Sequence, residues 1–188
     1  NCPQYLELLY GIWHAGLVAV PINNKLHPRE VAFIVGHSAA SLLFIAGDPG
    51  QTARTWTDCA PGLRIVSVDG PAYRQMTSGD AIDIVARAPD DLAWLFYTSG
   101  TTGRPKGVML SQRNLLAMTL CYFVDVDPAT GSDSILYAAP MSHGAGMYNF
   151  AHVLVGARHV VPASGAFDVA EILALSRHFG QLSLFAAP

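Results

Sequence analysis

The chain has 188 residues, 51% of them hydrophobic and 13% charged, with a formal charge of −3 and a pI near 6.1. That length allows one good core, and the charge offers no basic field for a nucleic-acid backbone. The longest stretch without Asp, Glu, Lys or Arg, residues 134–157, is interrupted by Pro140, Ser142, His143, Gly144, Gly146, Asn149 and His152, which excludes a lipid-facing helix.

In chain order, residues 3–15 read as a helix stopped by Gly16, and residues 17–22 as a buried strand. Pro28 suits the first turn of a helix over 28–38, with Glu30 near its positive end and Val31, Ile34 and Val35 as its inner stripe. A strand is predicted at 41–46, a helix at 51–59, a strand at 63–68 and a turn-rich connection at 70–80. Strands at 91–97 and 106–110 flank a Gly-rich loop, and Ser111 can cap a helix over 112–123. Strands at 135–139, 158–161 and 182–186 then alternate with helices at 146–155 and 169–179, the latter introduced by Asp168. This alternation predicts an α/β fold, a mostly parallel sheet with helices on both faces, and the apolar surplus suits strands covered on both sides. No repeat, low-complexity tract or interdomain linker stands out.

Cys2, Cys59 and Cys121 are odd in number and scattered, with no CxxC pair, and read as reduced structural thiols of a cytoplasmic protein. No secretory leader is visible. The chain starts at the mouth of a helix and stops on an apolar strand, as expected of a piece of a larger protein.

The chemistry concentrates in Tyr97-Thr98-Ser99-Gly100-Thr101-Thr102-Gly103-Arg104-Pro105-Lys106-Gly107. Glycines let backbone N–H groups approach an anion, hydroxyls donate to its oxygens, and a lysine adds a compact positive charge. Together they describe a grip for a polyphosphate. A Walker loop requires Gly before the lysine and Ser or Thr after it, whereas Pro105 and Gly107 stand there. Gly144-Ala145-Gly146 lacks the third glycine of a dinucleotide fingerprint, since Asn149 occupies that place. On composition alone the segment also reads as an ordinary Ser/Thr/Gly surface loop.

The ordered string resembles the phosphate-loop motif of the adenylate-forming enzymes, which include acyl-CoA and aryl-CoA synthetases, luciferases and peptide-synthetase adenylation domains. A second segment, Pro140-Met141-Ser142-His143-Gly144-Ala145-Gly146, resembles the family's Pro-x-x-His-x-x-Gly motif. The resemblance implies that Thr98, Ser99, Gly100, Thr101, Thr102 and Gly103 wrap the β- and γ-phosphates of ATP and that Lys106 neutralises them. It also implies that His143 and Gly144 sit beside the bound carboxylate. Softer likeness runs through Gly11 to Gly16, Val20 to Asn23 and the Pro28 segment. Gln112 departs from the histidine that many relatives place after Ser or Thr.

By this resemblance the chain is an incomplete N-terminal AMP-binding domain, from the front half of a large domain, and inactive alone. The parent enzyme is expected to activate a carboxylic acid with ATP to an acyl-adenylate and to transfer the acyl group to coenzyme A, a fatty or other hydrophobic acid being favoured. Magnesium is expected too, with ligands outside this segment. An aryl-acid CoA ligase and a peptide-synthetase adenylation domain stay open within the class. A non-catalytic nucleotide-phosphate-binding module or a purely structural α/β module stays open beyond it. His14, His27, His37, His152, His159 and His178 show no metal-ligand spacing and are expected to make solvent contacts or to be satisfied in the core. Phe150, Val153 and Leu154 read as plain core.

Overall fold

A computed structural model describes residues 1–98 and 104–186. The chain divides into two compact units, one of Leu8–Arg87 with Leu92–Met109, the other of Asn1–Glu7, Ala88–Asp91 and Leu110–Pro188. The α/β class holds, and among the described residues the strands pair in three small groups, β1 with β2 and β5 with β6 and β7 in parallel.

Helix α1 (Gln4–His14), which belongs to the first unit from Leu8 onward, ends where Gly16 takes a positive φ of 69°, a conformation glycine adopts without a Cβ clash. Helix α2 (Pro28–His37) begins with Pro28 in its first turn, and His27 caps it. The His27 ring accepts from Arg29 N–H while its own backbone N–H donates to the Glu30 carboxylate, satisfying two donors the helix start leaves over. Val31 and Val35 on the inner face pack with Leu63 and Trp56. Trp56 lies on helix α3 (Thr52–Cys59), and strands β1 (Leu42–Ile45) and β2 (Arg64–Ser67) pair in parallel beside them.

Two expectations change here. The connection at 70–80 contains helix α4 (Pro71–Thr77), with Gly70 as its extended cap and Tyr73 buried. Pro71 is a starter at the first helical position, where the missing N–H costs nothing, rather than a turn residue. The strand predicted at 17–22 is reduced to one parallel bridge, Ala19 with Trp94. Ala19 is buried, but Leu17 is 58% exposed, so the segment is only pinned at a point. Trp94 belongs to strand β3 (Leu92–Thr98), which pairs with β4 (Lys106–Ser111).

In the second unit, Ser111 caps helix α5 (Gln112–Asp125) in a reciprocal box with Asn114. Strand β5 (Ser134–Leu136) is the middle strand of a three-stranded sheet, flanked in parallel by β6 (Arg158–Val160) and β7 (Leu182–Leu184). The single helix predicted at 146–155 is two short ones, α6 (Gly144–Met147) and α7 (Asn149–Leu154), meeting at Tyr148. The Asn149 side chain donates to the Gly146 carbonyl at this break. Helix α8 (Val169–His178) is capped by Asp168, whose carboxylate accepts from Glu171 N–H. Ile172, Leu175 and Phe179 pack on Leu136, Ala138 and Val160. No helix among the described residues is long and apolar enough to cross a membrane.

Candidate functional site

The string expected to grip phosphate runs from the end of β3 to the start of β4. The connection 99–105 is too short for a parallel crossover. Thr98 closes β3 half-buried, and Lys106 opens β4 exposed to solvent. Ser99, Gly100, Thr101, Thr102 and Gly103 lie outside the described residues.

The root of β3 is held firmly. Ala93 and Trp94 are fully buried, the Trp13 indole N–H donates to the Ala93 carbonyl at 2.8 Å, and Ala19 bonds on either side of Trp94. At its far end the Tyr97 ring lies over Gly107, where a Cβ would meet ring carbon Cζ at 3.1 Å. Glycine is required there because the ring occupies the side-chain space. Tyr97 Oη is 2.7 Å from Nδ1 of His37, and the two rings meet edge to face at 5.9 Å. Burial raises the Tyr97 pKa above the ordinary phenol value, so its hydroxyl keeps its proton and can donate.

His143 belongs to the other unit, on the turn that follows β5. The chain there is clamped by Asn1, whose Nδ2 donates to the carbonyls of Tyr137 and Ala139, both at 2.8 Å. Met141 N–H returns a bond to Asn1 Oδ1 at 2.9 Å. His143 N–H donates to Pro140 O and its carbonyl accepts from Gly146 N–H, while Met141 is buried with Ile135 and Tyr137. A Cβ on Gly146 would collide with the Met141 carbonyl oxygen, so this glycine permits the fold-back that leaves His143 exposed.

Immediately after His143, Gly144 forms part of the wall of a mainly apolar cavity of about 320 Å³, with Met118, Cys121, Met147, Tyr148 and Phe185. The Phe185 ring abuts Gly144, where a Cβ would lie 3.3 Å from Cζ. Tyr148 packs against Phe185 at 5.4 Å and against Tyr122 at 5.3 Å between ring centres. Asp125 stands at the same cavity. Val153 and Leu154, read from the sequence as core, are instead 37% and 61% exposed.

Sequence reasoning missed several of these residues. Asn1 acts through a contact far along the chain, Phe185 reaches the cavity from the strand end, and Cys121, read as a structural thiol, lies exposed on the wall. His37 is exposed, as expected for a solvent-contacting histidine, and it also bonds the tyrosine that opens the loop. His152 is a satisfied core histidine, its Nδ1 2.9 Å from Tyr148 O and its Nε2 3.2 Å from Ser183 Oγ. Among the described residues no three His, Cys, Asp or Glu side chains come together as metal ligands.

The family described as AMP-binding enzyme matches residues 1–188. Feruloyl-CoA synthase of an Amycolatopsis species is 33% identical, over 100% of this chain and 37% of the relative. 4-Hydroxybutyrate–CoA ligase 2 of Metallosphaera sedula is 31% identical, over 85% of this chain and 32% of its own length. The chain thus spans about a third of the length of these curated relatives. Among solved structures, ATP-bound MatB from Rhodopseudomonas palustris superposes with a TM-score of 0.78 at 27% identity, over 95% of this chain and 36% of that one.

Proposed function

Since this chain belongs to the AMP-binding enzyme family, we propose that it forms part of the N-terminal domain of an ATP-dependent acid–thiol ligase, in which the phosphate loop grips ATP and the His143 turn holds the acid. A carboxylate oxygen of the acid attacks the α-phosphorus of ATP, the bond from that phosphorus to the pyrophosphate oxygen breaks, and an acyl-adenylate forms. A coenzyme A thiol then adds to the acyl carbon, loses its proton, and expels AMP.

In the first step negative charge grows on the departing pyrophosphate. Thr98, Ser99, Gly100, Thr101, Thr102 and Gly103 supply hydroxyl and backbone donors to it, and Lys106 supplies positive charge. Donors already in place need no rearrangement as that charge develops, which is where such a loop lowers the barrier. His143 and Gly144 orient the carboxylate at the mouth of the cavity. Residues outside this segment would hold the magnesium that accompanies ATP.

The observation that carries this reading is the unbroken string from Tyr97 to Gly107 set between two paired strands, with Lys106 exposed at its end. The test is acid-dependent exchange of pyrophosphate into ATP by the intact protein. Lys106→Ala is expected to lower the rate at least about a hundredfold, the scale of one lost transition-state donor; equal rates would defeat the assignment.

The acid is proposed to be hydrophobic, because Met118, Met147 and Phe185 line the cavity next to His143. A fatty acid fits the apolar wall, whereas an aromatic acid is favoured by the rings of Tyr122, Tyr148 and Phe185, which offer edge and face contacts. Comparing a medium-chain fatty acid with a hydroxycinnamate in the same exchange assay decides between them.

A further inference from the structure

We propose that His37 is a positioning residue for the phosphate loop, acting through Tyr97. This rests on the reading of 97–107 as a polyphosphate grip.

Tyr97 precedes Thr98 and Gly107 follows Lys106, so the contact of the Tyr97 ring with the Gly107 backbone ties together the two ends of the loop. That ring has a single hydroxyl, and the bond to His37 Nδ1 at 2.7 Å fixes where it points. With the imidazole proton on Nε2, the Tyr97 hydroxyl donates and Nδ1 accepts. His37 is in turn restrained, since it stacks on Phe33 one helical turn back at 5.3 Å and an interplanar angle of 21°.

The post that carries His37 is itself rigid. Helix α2 is capped at its start by His27 and Glu30 and buried along Val31, Ala32, Ile34 and Val35. Near its end Gly36 approaches the Cys59 carbonyl so closely that a Cβ would sit at 2.9 Å. The position of Nδ1 is therefore set by packing remote from the loop. The Tyr97 ring transmits it to Thr98 and Lys106, the neighbours of the contact along the chain. Groups that grip a reacting phosphate need placement to well within an ångström, and this pair supplies such a restraint at Thr98 and Lys106.

The experiment uses the full-length protein and steady-state kinetics with MgATP varied at saturating acid. His37→Ala should raise the KM for MgATP about three- to tenfold, the equilibrium effect of one ordinary hydrogen bond, with kcat within about twofold and a thermal midpoint close to wild type. His37→Asn, which keeps an acceptor near the Nδ1 position, should recover most of that loss. Tyr97→Phe should match His37→Ala, and the double variant should be no worse than either single one. Lys106→Ala serves as the reference. If it leaves ATP use unchanged, the phosphate-grip reading fails. If it impairs ATP use while His37→Ala and Tyr97→Phe both keep the wild-type KM, the positioning role is overturned. It is also overturned if the two losses add or if His37→Asn is no better than His37→Ala. Should His37→Ala fail to fold, the KM of Tyr97→Phe alone decides: a rise upholds the role and a wild-type value overturns it.

Discussion

Tyr137 and His159 lie ring on ring across the β5–β6 pair, 5.9 Å between centres and 13° from parallel, with Tyr137 Oη 2.7 Å from His159 Nδ1. The other ring nitrogen, Nε2, is buried without a hydrogen-bond partner. Burial first, and the neighbouring His152 second, push the His159 pKa down from its ordinary 6.5 to about 4.

Stability should therefore fall on acidification. Above pH 6.5 the imidazole is neutral folded or unfolded, and His159 adds no pH dependence. Between pH 6.5 and about 4 the unfolded chain takes up a proton that the folded chain refuses, so stability is lost as pH falls and levels out below the folded pKa. Thermal midpoints of the intact protein across this range should drop, and His159→Gln should flatten the slope. An unchanged slope in that variant would remove His159 as the cause.

Asn1→Ala should destabilise the intact protein by about 1–3 kcal/mol, since two part-buried hydrogen bonds and one exposed one to the turn before His143 disappear and each part-buried bond is worth about 0.5–1.5 kcal/mol net. Urea titration measures the loss. Because the clamp sets the backbone entering His143, pyrophosphate exchange should decline under conditions where the variant remains folded.

Gly146→Ala should be more severe. The added methyl would collide with a backbone oxygen of Met141, which cannot rotate away as a side-chain tip would. A cost of about 3 kcal/mol, the upper end for overpacking, is expected in the same titration, against a near-neutral Gly156→Asn. Gly156 has a φ of +70° with open space around its Cβ position, and asparagine tolerates that conformation.

Cys121→Phe tests the cavity as the acid site. Cys121 is exposed on the cavity wall, so the larger ring can enter the open space without displacing packed side chains. The KM for a bulky acid should rise at least about tenfold, the effect of excluding one or two methylenes, with the KM for MgATP unaltered. Equal changes in both constants would place the cavity outside acid binding.

The parts of this fold legible in the sequence were those written locally. Ser111 and Asp168 announced their helices because a cap bonds within three residues of itself, and β3 was visible as an apolar run closed by glycines and hydroxyls. The helix at Pro71 was hidden because proline and glycine signal a turn and a helix start alike. The break at Tyr148 depends on the fold-back of Gly146 over Met141, which no period reveals. In the candidate site, the two motifs named the loop and His143. Asn1, His37 and Phe185 owe their places to partners 136, 60 and 41 residues away along the chain. No local pattern marks such pairs.

The middle position of β5 also shapes how the protein is made. Its neighbours β6 and β7 are both synthesised after it, and β7 only by residues 182–184. Until those residues leave the ribosome, one side of β5 offers unpaired N–H and C=O groups beside the apolar side chains of Ile135 and Leu136, a template for pairing with another nascent chain. Parallel partners so far apart in sequence also close slowly. Translation pausing shortly before residue 182 is thus expected to favour aggregation, and a chaperone that shields this open edge should raise the soluble yield.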